Sequence, residues 1–172
     1  MKNKKIFLTG DKGIGKSTCI NEIIKECQLS TCGFQTLPFY EHGIRTGFYL
    51  HALLPIEEND QRFSIQHDGW NETIPGVFDD FGVTVLKRSM QQKDYVLIMD
   101  EIGRLEKKET LFIDTLFQSL EECKNILGVL KKCEIQYIQD IKKREDIILF
   151  DFDEMNYDAI KTSIITLWKE SI

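Results

Sequence analysis

Gly10-Asp11-Lys12-Gly13-Ile14-Gly15-Lys16-Ser17 decides the reading of this chain, because it satisfies G-x-x-x-x-G-K-[ST] without a mismatch. The physics of that spacing is specific. Glycines let the backbone turn tightly, so that successive N–H groups form a nest around phosphate oxygens. A helix starting near Ser17 adds the positive end of its dipole. Lys16 is then placed to reach the β- and γ-phosphates, and the Ser17 hydroxyl to ligate Mg²⁺. The flanks agree. Lys5-Ile6-Phe7-Leu8-Thr9 in front is a short apolar run, and Ser17 to Leu29 behind carries Ile20, Ile23 and Ile24 at helical spacing.

Further along, Cys32 to Phe39 and Ile44 to Leu53 read as two strands joined across Glu41-His42-Gly43, a hairpin. Residues 54–76 read as loop with one strand around Arg62-Phe63-Ser64-Ile65. Val83 to Gln92 suits a helix leading into Tyr95-Val96-Leu97-Ile98-Met99, a run apolar throughout and therefore suited to a strand buried on both faces. Leu105 to Cys123 has Phe112, Leu116 and Leu120 four apart and predicts an amphipathic helix. Asn125 to Leu130 and Ile147 to Phe152 are strand candidates and Ile135 to Ile141 a short helix. Asn156 is positioned to cap a last helix aligned on Ile160, Ile164, Leu167 and Trp168. Strands alternating with helices imply an α/β fold with a mostly parallel central sheet flanked by helices, plus the added β-hairpin.

The buried run ends in Asp100-Glu101, two carboxylates at the carboxyl end of a central strand, where open α/β sheets bind ligands. Asp100 is the natural magnesium partner, and Glu101, projecting differently, is a candidate general base for an attacking water. The expectation is that this pair approaches the phosphate loop from the neighbouring strand tip. Phosphoryl transfer also calls for cations beyond Lys16, and Arg104 and Arg45 are the candidates, because a guanidinium matches phosphate oxygens and stays charged.

The bulk numbers bound the rest. A length of 172 residues fits one domain over residues 1–172. A net charge of -6 argues against nucleic acid as the main partner. The apolar run behind the basic N-terminus is too short for a signal sequence and no run reaches transmembrane length, so a cytoplasmic protein without a membrane partner is expected. Five cysteines without a C-x-x-C pair suit reduced, mostly buried thiols, and His42, His51 and His67 read as surface or loop residues without metal-ligand spacing. Nothing in the sequence names a protein partner.

Taken together, the pattern resembles the small P-loop nucleoside-triphosphatase family of thermophile and human cancer-related enzymes. The resemblance is carried by Leu8-Thr9-Gly10 through Thr18, Gly33-Phe34, Arg45-Thr46-Gly47-Phe48 and above all Asp100-Glu101-Ile102-Gly103-Arg104-Leu105-Glu106. It implies an ASCE/RecA-like fold and slow Mg²⁺-dependent hydrolysis of ATP, GTP and other nucleoside triphosphates. By the same resemblance Gly10, Asp11, Lys12, Gly13, Ile14, Gly15, Lys16, Ser17 and Thr18, with Asp100, Glu101, Ile102 and Gly103, line the nucleotide site. Lys16, Glu101 and Arg104 are the catalytic candidates, Ser17 and Asp100 the metal ligands. One stretch departs. Where the family has a basic-Tyr-Gly-Val segment, this chain reads Val77-Phe78-Asp79-Asp80-Phe81-Gly82-Val83. If that segment approaches phosphate or metal, its two aspartates would alter turnover or metal preference.

Two other classes use the same cradle. A small-molecule or nucleotide kinase would bring an Arg-bearing lid, for which Lys142-Lys143-Arg144 is the candidate. A nucleotide-gated binding module would use hydrolysis as a timer, with the Leu105 to Cys123 helix as a docking face.

Overall fold

Runs that are apolar throughout belong in the middle of a sheet, and Val96 to Met99 and Ile126 to Leu130 take that place in the computed structural model, which describes residues 3–170. The elements are β1 (Lys4–Thr9), α1 (Lys16–Glu26), β2 (Thr31–Glu41), β3 (Ile44–Ala52), β4 (Gln61–His67), β5 (Trp70–Thr73), α2 (Val83–Met90), β6 (Val96–Ile102), α3 (Thr110–Glu122), β7 (Asn125–Leu130), α4 (Gln136–Lys142), β8 (Ile147–Asp151) and α5 (Tyr157–Lys169). They build an 8-stranded sheet in the order β5-β4-β3-β2-β6-β7-β1-β8. Strands β2, β6, β7, β1 and β8 run parallel, and β3, β4 and β5 continue the sheet antiparallel.

The pleat sorts side chains between two cores. Ile6 and Leu8 of β1, Val96 and Ile98 of β6, and Leu127 and Val129 of β7 pack under α1 and α5. Phe7, Leu97, Met99, Ile126 and Leu130 face the opposite core with α2, α3 and α4. All of these are essentially excluded from solvent, so the sheet is covered on both faces at the strands that carry the loop and the acids.

Several expectations change in detail. Residues 54–76 hold two strands rather than one, because Asp68-Gly69, with Gly69 at φ 80, closes a two-residue turn between β4 and β5. The helix expected from Val83 is preceded by a π-helical turn at Phe78–Gly82. There a Cβ on Gly82 would lie 2.8 Å from the Phe112 ring, so glycine is what lets this turn meet α3. The helix expected from Leu105 starts only at Thr110. His51 lies in β3, within the strand expected over Ile44 to Leu53, and pairs with Asp60 at 2.5 Å. All five cysteines are free, with Cys19 and Cys32 buried and the others half-buried.

The departing segment has a structural explanation. Asp79 accepts the Phe112 N–H at 2.9 Å in the first turn of α3, while Glu109, just before α3, accepts the Gly76 and Asp79 N–H groups at 2.8 and 3.3 Å. Each acid caps the other's helical segment, satisfying donors that a helix start leaves unpaired. Asp79 is thus occupied as a cap between α3 and the π turn.

Candidate functional site

The loop between β1 and α1 takes its shape from three glycines with positive φ, Gly10 at 139, Gly13 at 78 and Gly15 at 99, a region that side-chain-bearing residues rarely adopt. The N-cap residue of α1 is Gly15, which has no side chain to cap it, so among the described residues the first N–H groups of the helix remain available to an anion. Lys16 crosses the hollow. Its Nζ donates to the carbonyls of Gly10 at 2.8 Å and Asp11 at 2.7 Å, and burial holds its pKa below the usual lysine value despite the surrounding carboxylates of Glu101, Asp153, Asp11 and Asp100. Asp11, Lys12, Gly13, Ile14, Ser17 and Thr18 are exposed around it.

The acids meet this loop. The Ser17 hydroxyl donates to Asp100 Oδ1 at 2.9 Å across 83 residues of sequence. Asp100 is only 5% exposed, and burial pushes its carboxyl up to about 6, the Ser17 hydrogen bond pulling the other way. A hydroxyl and a carboxylate are hard oxygen donors, and an aspartate raised by burial gains most from a cation beside it. Mg²⁺ binds through one or two such groups while keeping waters and phosphate oxygens for its other positions, so this pair fits that ion.

Two features of the approach differ from the sequence reading. The acid strand is not the neighbour of the loop strand, since β7 lies between β1 and β6. Nor does the strand stop at the acids. β6 continues to Ile102, with its register against β7 breaking between Met99 and Ile102. The pleat already puts Asp100 on the face of Val96 and Ile98, under α1 where Ser17 lies, and the break lets Ile102 turn back into the opposite core, fully buried. Glu101 is left half-exposed, with Lys131 Nζ 3.9 Å from its Oε1 and its own N–H donating to the Thr36 hydroxyl at 3.4 Å.

Beyond the strand, Gly103 has both backbone groups engaged. Its N–H donates to Glu106 Oε1 at 2.5 Å and its carbonyl accepts the Tyr137 hydroxyl. Glu106 is buried, and burial pushes its carboxyl up to about 7. This side chain folds the turn that fixes the end of β6. Arg104, next to Gly103, points to solvent. Arg45 stays within its hairpin, stacked 5.2 Å from the Phe48 ring centroid and donating to Gln66 at 2.9 Å.

Four residues at the site were missed in the sequence reading. Lys132 joins Asp153 Oδ2 at 2.5 Å to Asp11 Oδ1 at 3.3 Å, and Asp153 Oδ1 accepts the Asp11 N–H at 3.2 Å, so the loop is braced from the ends of β7 and β8. Tyr157, at the start of α5, lies against Gly15, where a Cβ would come within 3.3 Å of its ring. Lys131 is the fourth. The available signal was the Lys131-Lys132 pair directly after a buried strand, where a parallel sheet opens its ligand edge.

Comparison with known proteins bears on the chain as a whole. The NTPase family profile matches residues 5–165. The nucleoside-triphosphatase THEP1 of Methanothermobacter thermautotrophicus is 30% identical, over 95% of this chain and 95% of that protein. The human cancer-related nucleoside-triphosphatase is 27% identical, over 96% and 97%. Among solved structures, THEP1 from Aquifex aeolicus superposes with a TM-score of 0.77 at 24% identity over 95% of this chain and 98% of that one, a likeness of fold. The phosphate loop, the Ser17 to Asp100 contact and a profile match over nearly the whole chain converge, and the chain belongs to the NTPase family.

Proposed function

We propose that this protein hydrolyses nucleoside triphosphates, ATP and GTP among them, to diphosphate and phosphate with Mg²⁺ and with broad tolerance of the base. The observation that carries the reading is the 2.9 Å contact between Ser17 and Asp100, which joins the loop to the acid pair.

In this reading the N–H groups of residues 10 to 17 hold the polyphosphate. Lys16 exchanges the Gly10 and Asp11 carbonyls for β- and γ-phosphate oxygens. Ser17 and Asp100 are the residues that would hold Mg²⁺, which would supply positive charge against the phosphate oxygens. Glu101 takes the proton of a water whose oxygen bonds to the γ-phosphorus while the bond from that phosphorus to the bridging oxygen breaks. Arg104, three residues past Glu101, is a second cation able to swing in from solvent during transfer. Ile102 and Gly103 position the acids from behind.

A kinase reading loses its lid. Arg144 pairs with Asp146 at 2.9 Å and with Glu121 at 2.6 Å, and Asp146 also pairs with Lys5 at the start of β1, the end of the strand opposite the phosphate loop. Among the described residues no helix is long and apolar enough to cross a membrane. The free cysteines support a reducing, cytoplasmic setting. The net charge of -6 supports a nucleotide rather than a nucleic acid as partner.

The test is steady-state phosphate release from ATP, GTP, CTP and UTP with no acceptor added. Release from all four at rates within about tenfold, one factor of ten being about 1.4 kcal/mol of transition-state discrimination, and its loss on chelating Mg²⁺, is the expected result. Diphosphate formation that requires an added acceptor and yields no free phosphate would replace hydrolysis with kinase chemistry.

A further inference from the structure

The parallel order of this sheet puts the tip of β7 between the phosphate loop at the end of β1 and the acids at the end of β6. Lys131 stands at that tip. Its N–H donates to the Ile102 carbonyl at 2.9 Å, continuing the ladder one residue past β7, so its backbone is fixed. Leu127 and Val129 point into the core under α1, and the period-2 pleat sends Lys131, two residues on, to the same face, the one on which Asp100 meets Ser17. Its stem runs past Gly103, and its Nζ lies 3.9 Å from Glu101 Oε1.

This contact is not a structural fastening. At 3.9 Å it is long for a hydrogen bond, and the two side chains are 37% and 34% exposed, the circumstances in which an ion pair adds little to stability. The adjacent Lys132 is committed to Asp153 and Asp11. Lys131 therefore has its charge in the cleft, close to the candidate base and loosely held.

We propose that Lys131 is a further cation of the transfer site, pairing with Glu101 in the nucleotide-free protein and passing to the γ-phosphate when a triphosphate fills the loop. The inference rests on the reading that the loop and the acids together hold a triphosphate. The exchange leaves Glu101 free to accept hydrogen from water while the lysine meets the charge that transfer spreads over the γ-oxygens. Because the group it addresses is the γ-phosphate, its effect belongs to triphosphates and not to diphosphates.

The experiment compares wild type, Lys131→Met and Lys131→Arg in three measurements with Mg²⁺: affinity for ADP, affinity for a non-hydrolysable ATP analogue, and kcat for ATP. Lys131→Met is expected to keep ADP affinity within about twofold and to lose about tenfold in analogue affinity, the worth of roughly one charge-assisted hydrogen bond. It is also expected to lose at least about tenfold in kcat, the scale of one donor lost from a transferring group. Lys131→Arg, which keeps the charge, restores most of both. A Lys131→Met protein with wild-type kcat and a wild-type ratio of analogue to ADP affinity overturns the proposal, as does equal loss of ADP and analogue binding. If the wild type binds the analogue but releases no phosphate, hydrolysis fails as a reading, and the affinity ratio still decides the role of Lys131.

Discussion

Replacing Lys16 with alanine is expected to lower phosphate release by about 10³-fold, the upper part of the range for removing one group aimed at developing charge in an excluded site. The side chain does two jobs. In the free protein its Nζ holds the carbonyls of Gly10 and Asp11, and burial keeps its pKa below the usual value, so a cation is stored inside the loop before any anion arrives. When phosphate enters, that charge is already in place and partly stripped of water, which strengthens its pull. Alanine removes the cation and leaves two carbonyls facing the anion's position. Triphosphate affinity falls with the rate, since Lys16 acts on bound substrate as well as on transfer. The loop lies beyond the carboxyl end of β1 with its own glycine-defined shape, so the thermal midpoint should stay near that of wild type. A Lys16→Ala protein that is folded and turns over within about threefold of wild type, less than the smallest loss expected from removing such a group, would refute the assignment of the loop as the reaction site.

The second large effect is at Glu101. Glu101→Gln keeps the shape and removes the basic oxygen, and the expected loss is about 10²- to 10⁴-fold in kcat with ground-state affinity retained, the pattern for a general base. Its surroundings suit that role. Asp100 beside it is buried and committed to Ser17, whereas Glu101 is half-exposed, its side chain paired among the described residues only with the loosely held Lys131 amine, and open to a water. Presteady-state or steady-state phosphate release together with nucleotide titration separates rate from binding. A wild-type rate in Glu101→Gln removes it as the base. Parallel losses in affinity and rate would make it a binding group instead.

Much of this site was legible in the chain because its parts are local. The phosphate loop is eight consecutive residues between a strand and a helix, and β1, β7 and the Asn156 cap, which accepts the Ala159 N–H at 2.8 Å, follow from patterns within a few positions. What escaped is set by contacts distant in sequence. The placement of β7 between β1 and β6 is a matter of sheet order, which no local window carries, so the lysine pair after β7 marks the ligand edge but not that Lys131 stands between the loop and the acids. The late start of α3 depends on Glu106 folding back onto the Gly103 N–H, a side-chain bond that helical periodicity does not register. The hairpin of β4 and β5 had a usable signal in Asp68-Gly69. Its outer strand, Trp70-Asn71-Glu72-Thr73, lies at the sheet edge and is largely exposed, so it lacks the apolar alternation by which strands are recognised. The two aspartates of the departing segment look like a change at the phosphates when read as charges in a row. In the fold, Asp79 is a helix cap.

In the proposed reaction the loop and the acid strand share one metal, through Ser17 and Asp100. Equilibrium titration of a non-hydrolysable ATP analogue into wild type and Asp100→Asn, each with Mg²⁺ and with a chelator, tests it without turnover. Magnesium should tighten binding to wild type by about tenfold or more, a differential of at least about 1.4 kcal/mol, and in Asp100→Asn that gain should largely vanish while metal-free affinity stays close to wild type. An Asp100→Asn protein whose affinity responds to magnesium as fully as wild type does would contradict the account.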